Sequence, residues 1–238
     1  MLTAPVTLMR MMILMSITIT DRALLRLLQL SSASLPVGGY AFSQGLEFAI
    51  EAGWVRNLKE TREWLSLQLH DALAQVDCAI LLRCLHALEK AGIAQLHYWN
   101  QYALACRETR ELRLTDTATG SALIRLLRQL GIDPQIQTEE VSFVAAFAVA
   151  AHHWQIPEEA AALGLVWSWL ENQVAAATKL VPLGQTLAQQ LIGEIQHEVP
   201  AAIARARQLQ DWELGAGLPA LAIASARHET QYTRLFRS

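Results

Sequence analysis

The chain has 238 residues, 53% of them hydrophobic and only 17% charged, with a formal net charge of -3. That length buries well over half of the unfolded surface without a disulfide or metal staple, and three dispersed cysteines, Cys78, Cys84 and Cys106, offer no disulfide framework. The acidic balance excludes the basic footprint of a nucleic-acid binder, while a charged share well below the ordinary quarter points to apolar surface that a further subunit covers.

Residues 1–20 read as an N-terminal extension, either disordered or a misassigned start. All five methionines lie between Met1 and Met15, and the stretch 6–19 is largely apolar with a single charge at Arg10. It is too short to cross a bilayer and lacks the cleavage pattern of a signal peptide. From there the periodicity is helical throughout, with no alternating strand runs or hairpin turn signals. Thr20 or Asp21 caps a first helix to about Leu30, and the Ser, Pro and Gly residues of 31–39 make a loop. A short helix over about 43–52 follows, with Ser43 as its cap and Gly53 closing it.

Asn57 opens a long amphipathic segment to Lys90. Its apolar positions Leu65, Leu69, Leu73, Val76, Ile80, Cys84 and Ala87 form one stripe. Further helices are expected over 93–107 and 111–130, the latter open to a break near 115–120. A helix over 139–154 is expected next, and then one over 158–181 whose apolar run suits the centre of a bundle, packed on several sides. Pro182 starts a helix to about His197, and Pro200 suits the first turn of another. The fold class is all-α: a single-domain bundle of roughly nine to eleven helices over 21–218, with a docking C-terminal segment over 219–238.

Enzyme and metal signatures are missing. No nucleotide-binding glycine loop, nucleophile elbow or zinc-binding His pair occurs, and Gly215-Ala216-Gly217 reads as a linker. Cys78 and Cys84 lie about 240° apart around a helix, so they read as core thiols. His152 and His153 read as a solvent-facing helix end, and His70, His86, His97 and His197 as isolated structural or surface residues. Ligands converging from distant segments stay open.

Four segments carry a family resemblance. The first is Ser34-Leu35-Pro36-Val37-Gly38-Gly39-Tyr40-Ala41-Phe42-Ser43-Gln44-Gly45-Leu46-Glu47, where Pro36 stiffens the entry and the glycine pair permits close backbone approach. The second, Arg107-Glu108-Thr109-Arg110-Glu111-Leu112-Arg113, reads on its residues as a solvated, salt-bridged helix face. In the third, Glu171, Asn172 and Gln173 interrupt an apolar helix before Lys179-Leu180-Val181-Pro182-Leu183-Gly184-Gln185, which suggests a polar network, a helix end or an inter-subunit seam. The fourth is Arg227-His228-Glu229-Thr230-Gln231-Tyr232-Thr233-Arg234-Leu235-Phe236-Arg237-Ser238, where basic and aromatic residues interleave at a chain end that would otherwise fray. In this order the four resemble the UreF family of urease accessory proteins over roughly nine-tenths of the chain. At Thr115-Asp116-Thr117-Ala118 the sequence is less charged than the family pattern.

The resemblance implies a helical, homodimeric, cytoplasmic, non-catalytic adaptor, with neither a nucleic-acid nor a membrane partner. It implies that the chain bridges the nickel-carrying GTPase UreG to UreD (also called UreH) and apo-urease, coupling GTP hydrolysis to nickel insertion; modulation of the partner GTPase stays open. No cofactor is expected to be held tightly, nickel being in transit through the complex, and no metal-ligating or catalytic residue is assigned. Partner binding is expected at Leu35, Pro36, Gly38, Gly39, Tyr40, Phe42, Ser43, Gln44 and Glu47, and at Arg227, His228, Glu229, Tyr232, Arg234, Leu235 and Phe236, with the C-terminal segment ordering when UreD binds. The alternative is an independent nickel-binding carrier or chaperone.

Overall fold

The computed structural model describes residues 18–215 and 217–237, and among them it is all-α, with no strand. The expectation for residues 1–20 thus falls largely outside the described residues. Helix α1 (Asp21–Leu30) starts where Thr20 Oγ1 accepts the Ala23 amide at 3.2 Å. Next come α2 (Leu46–Glu51), α3 (Leu58–Gln68), a π-helical stretch (Leu69–Cys78), α4 (Ala79–Glu89), α5 (Ile93–Ala105) and α6 (Arg110–Gln129). The order ends with α7 (Phe143–His153), α8 (Glu158–Leu180), α9 (Gln185–Gln196), α10 (Val199–Gln208) and α11 (Pro219–His228).

The segment opened by Asn57 is continuous to Glu89, and Asn57 Oδ1 accepts the Glu60 amide at 3.0 Å. Its middle, however, winds as a π-helix, which periodicity alone does not reveal. All seven stripe residues from Leu65 to Ala87 are buried, because steps of mostly four residues stay on one side even as the turn widens.

Helix α8 lies at the centre. It touches α1, α2, α3, α4, α7, α9, α10 and the π-helical stretch, so its apolar residues find neighbours all round. Helix α7 is as deeply set, with every residue from Val144 to Ala151 buried. It begins at Phe143, later than the expected 139, because Ser142 Oγ caps it by accepting the Ala145 amide at 3.2 Å. Helix α6 is unbroken through 115–120, where the sequence leaves a break open. The Thr115 and Thr119 hydroxyls donate back to the carbonyls of Glu111 and Thr115 at 2.9 and 2.7 Å, which satisfies buried hydroxyls without a kink. After Val181 the chain turns before α9 begins at Gln185, beyond the expected Pro182.

Where α10 begins, a polar cluster ties it to the outer face of the long rod. Glu198 accepts from Arg62 at 2.8 Å and from Ser66 at 2.5 Å, and lies 3.0 Å from His70 Nε2. Burial alone would raise the Glu198 carboxyl, but the hydrogen bonds from Ser66 and His70 and the Arg62 charge outweigh it and leave it below its ordinary 4.5. A carboxyl depressed in the folded state contributes stability that is present above the unfolded value and lost as pH falls through the folded one. Glu198→Gln should therefore flatten the fall in denaturant midpoint below about pH 4.5 while leaving m unchanged.

Candidate functional site

The segment between α1 and α2 is built to bring α2 against the C-terminal helix. Leu35 is buried and Pro36 exposed, Gly38 takes φ +76°, and Gly39–Ala41 forms one 3-10 turn that leaves Tyr40 exposed. Phe42 and Ser43 then turn inward. Ser43 is not the helix cap expected for it, since α2 starts at Leu46 behind Gly45, although its Oγ accepts the Glu47 amide at 3.4 Å. Gly45 has φ +82°, and a Cβ there would stand 3.2 Å from both Ala224 Cβ and the Ser225 amide nitrogen. Only a bare backbone lets α11 come this close.

That approach assembles a buried clasp. His228, the last residue of α11, is fully buried between two carboxylates: its Nε2 lies 2.9 Å from Glu47 Oε2 and its Nδ1 2.8 Å from Glu111 Oε2. Two carboxylates ask for two donors, which the ring supplies when both nitrogens carry hydrogen. Beyond His228 the chain doubles back. Glu47 accepts the backbone amides of Leu235 at 2.6 Å and Phe236 at 3.0 Å, Arg234 donates to Glu111 Oε1 at 3.0 Å, and the Arg237 amide donates to the Ala41 carbonyl at 2.8 Å. The Phe236 ring is buried beneath Lys179, whose Nζ sits 5.5 Å from its centre. Thr109 and Ser225 share a hydrogen bond of 2.7 Å alongside.

Next to the clasp lies a second buried charge group. Arg107 donates to Asp116 Oδ2 at 2.8 Å and to both oxygens of Asp77 at 2.5 and 3.2 Å. Burial opposes the Arg107 charge, but Asp116 and Asp77 more than offset it, so the guanidinium holds its proton more firmly than usual. Burial also pushes the Asp116 carboxyl up, against the pull of Arg107. This corrects the reading of 107–113 as a solvated face: Arg107 is largely covered and Glu111 is buried. A charged helix start reads as surface by composition, but Glu111, Thr115, Thr119, Leu123 and Leu127 step by four into the core, and that stripe was available to find Glu111.

The structure thus brings together Glu47, His228, Arg234 and Phe236 from two distant segments, and adds Glu111, Asp77, Arg107 and Asp116, which were not among the expected site residues. Arg227, Tyr232 and Leu235 are exposed around the clasp and Glu229 is half-buried. Gln44, at φ +51°, and the Phe42 ring face a neighbouring cavity with Gly39. Of the polar run in α8, Glu171 accepts the Ala33 amide at 3.1 Å, Asn172 donates to the Ser168 carbonyl at 2.8 Å, and Gln173 is buried. That run is a polar network within the chain. Cys78 and Cys84 are fully buried and burial pushes their thiols far up, as inert core cysteines require. Among the described residues no cluster of three or more His, Cys, Asp and Glu could hold a metal ion, and no helix is long and apolar enough to cross a membrane.

Comparison with known proteins gives one consistent result. The UreF family model matches residues 55–196. A urease accessory protein UreF of Marinomonas sp. (strain MWYL1) is 57% identical over 224 residues, spanning 94% of this chain and 97% of its own. Proteins of the same name from Pseudomonas entomophila (strain L48) and Alkalilimnicola ehrlichii are 51% and 48% identical, over 92% and 90% of this chain and 99% and 95% of theirs.

Proposed function

This chain belongs to the UreF family, and on that footing we propose that it serves urease maturation as a non-catalytic adaptor. It bridges the GTPase UreG, which carries the nickel, to UreD and apo-urease, and couples GTP hydrolysis to nickel insertion. It works in the cytoplasm as a homodimer, holds no cofactor tightly, and passes nickel on as cargo. The relatives' names support the role in urease maturation. The exposed leucines of α1, Leu24, Leu25 and Leu28, support further association, since a monomer gains nothing from leaving them in water.

The observation that carries the adaptor reading is a contrast within the C-terminal segment. The clasp fixes residues 234–237 through buried carboxylates and backbone amides, yet Tyr232 is fully exposed, Leu235 is 73% exposed, and Tyr40, next in the chain to the Ala41 that Arg237 bonds, is 64% exposed. Holding large apolar side chains in water on an anchored frame is the preorganisation that a docking surface uses to limit ordering entropy on binding. The expected partner contacts therefore divide: Tyr232, Leu235 and Arg227 face UreD, Tyr40 of the 35–47 loop faces UreG, and His228, Glu47, Arg234 and Phe236 hold the frame.

The test separates those roles. Tyr232→Ala combined with Leu235→Ala removes no buried contact and should leave the melting temperature within about 2 °C, while weakening co-purification of UreD by tenfold or more, as loss of an aromatic anchor does. Undiminished capture of UreD by the double variant would refute the surface. Urease activity in cells lacking the chain, with and without added nickel, tests the role itself. Equilibrium nickel titration of the purified chain tests the carrier alternative, which requires tight binding to the isolated protein.

A further inference from the structure

The chain has seven histidines, all among the described residues, and only His228 is buried. Its ring joins three elements: it ends α11, Nε2 faces Glu47 of α2 at 2.9 Å, and Nδ1 faces Glu111 of α6 at 2.8 Å. The second oxygen of Glu111 accepts from Arg234 at 3.0 Å, and Glu47 also accepts the Leu235 and Phe236 amides.

The protonation of the ring decides whether this arrangement is consistent. With hydrogen on both nitrogens, two cations meet two carboxylates, and each oxygen facing the ring has a donor. With hydrogen on one nitrogen, a lone pair points at a carboxylate oxygen at hydrogen-bond distance. One buried negative charge is then left over.

Among the described residues no other cation is placed to replace that proton. On the α6 side, Arg107 is taken by Asp77 and Asp116, Arg113 by Glu140, and Arg110 is exposed. Glu51 of α2 and Arg227 of α11 are exposed, and Glu229 is half-buried. Lys179 of α8 lies over the Phe236 ring and Arg237 over that of Phe42.

We propose that the clasp is a proton-operated latch. Residues 234–237 stay against α2 and α6 while His228, Glu47 and Glu111 keep one shared proton; its loss to solvent lets the segment lift away. The three groups titrate together, so the proton belongs to the set. Tyr232 and Leu235 ride on this segment, and the same proton sets whether they stand on a fixed frame. The latch is a property of the chain by itself, and its outcome is read separately from that of the adaptor role.

The direction with pH follows. An exposed histidine, as in the lifted state, gives up its proton above about pH 6.5. Above that pH the latched state holds the extra proton, so its advantage is complete at lower pH and is lost as pH rises. The ratio of lifted to latched chain grows by up to about tenfold per pH unit.

Hydrogen exchange at the Leu235 and Phe236 amides of the full-length chain, with the intrinsic pH dependence divided out, tests this between about pH 6 and 9. Protection should fall about tenfold or more across that range, while the amides at the centre of α8 keep theirs. Glu111→Gln is the deciding variant. Its amide oxygen still accepts from Arg234, and its amide nitrogen donates to the Nδ1 of a ring with hydrogen on Nε2 alone. Charge then balances without the extra proton, so tail protection should be flat with pH; a variant that only loosened the packing would lower protection and keep the slope. The ring nitrogen resonances give a second reading: at neutral pH both His228 nitrogens should carry hydrogen in the parent chain. Level protection throughout the range in the parent chain overturns the proposal, as does an unaltered slope in Glu111→Gln, or a bare ring nitrogen while the tail is latched.

Discussion

Glu47→Ala should lower stability by about 3 kcal/mol and release residues 229–237 from the body of the protein. The carboxylate holds three groups at once: the fully buried His228 ring and the amides of Leu235 and Phe236. A buried donor left without its acceptor costs about 1–3 kcal/mol, and three lose theirs here, the His228 Nε2 and the two amides, while His228 Nδ1 keeps Glu111. The tail can relieve part of that by lifting into water, which exposes the Phe236 ring and forfeits about 1.5–3 kcal/mol of burial; the lower end of the range is therefore expected. Hydrogen exchange at the amides of Leu235, Phe236 and Arg237 should quicken, and trypsin should cut sooner after Arg234. Glu47→Gln keeps an acceptor for the tail amides and should retain part of their protection. Unchanged exchange at 235–237 in the alanine variant would show that the clasp does not hold the tail.

Gly120→Ala should be at least as damaging, with a loss of about 3 kcal/mol and a melting temperature lower by about 6–12 °C. A Cβ at this position would stand 2.1 Å from the Val141 carbonyl oxygen, 2.7 Å from the Ser142 carbonyl carbon and 2.9 Å from the Phe143 nitrogen. These are backbone atoms, and the backbone is pinned. Asn100 accepts the Ser142 amide at 2.8 Å and donates to the Glu140 carbonyl at 3.0 Å, while Asp116 accepts the Phe143 amide at 2.6 Å. For the methyl to fit, α6 must retreat from the start of α7, which breaks the bond from Asp116 and disturbs its pairing with Arg107. Calorimetry of the purified variant measures the drop; a shift under 2 °C would mean that the two segments separate freely.

Helix positions were legible because they rest on local rules. Thr20 and Asn57 cap where expected, Gly53 closes α2, and the stripe from Leu65 to Ala87 is buried in full. The 115–120 stretch of α6 is ambiguous for an equally local reason: Thr, Asp and Gly weaken a helix in isolation. What holds it is tertiary, with Arg107 and the Phe143 amide on Asp116 and the α7 entry against Gly120. Of the site, the two segments bearing the clasp were marked by their residues, but not which members face inward. Glu111 reads as a solvated charge and Arg234 as a partner contact until each is seen to be the other's partner across 123 positions.

The sequence by itself determined an all-helical chain, the order and approximate extent of its helices, and its membership of the UreF family, since caps, periodicity and motif order are written in neighbouring residues. Only the tertiary structure decided that Glu47, Glu111 and His228 meet, and that the C-terminal segment is anchored by carboxylates while Tyr232 and Leu235 stay in water. A hydrogen bond between residues more than a hundred positions apart leaves no periodic trace along the chain. It exists once packing has brought the two segments together and excluded the water that would otherwise satisfy them.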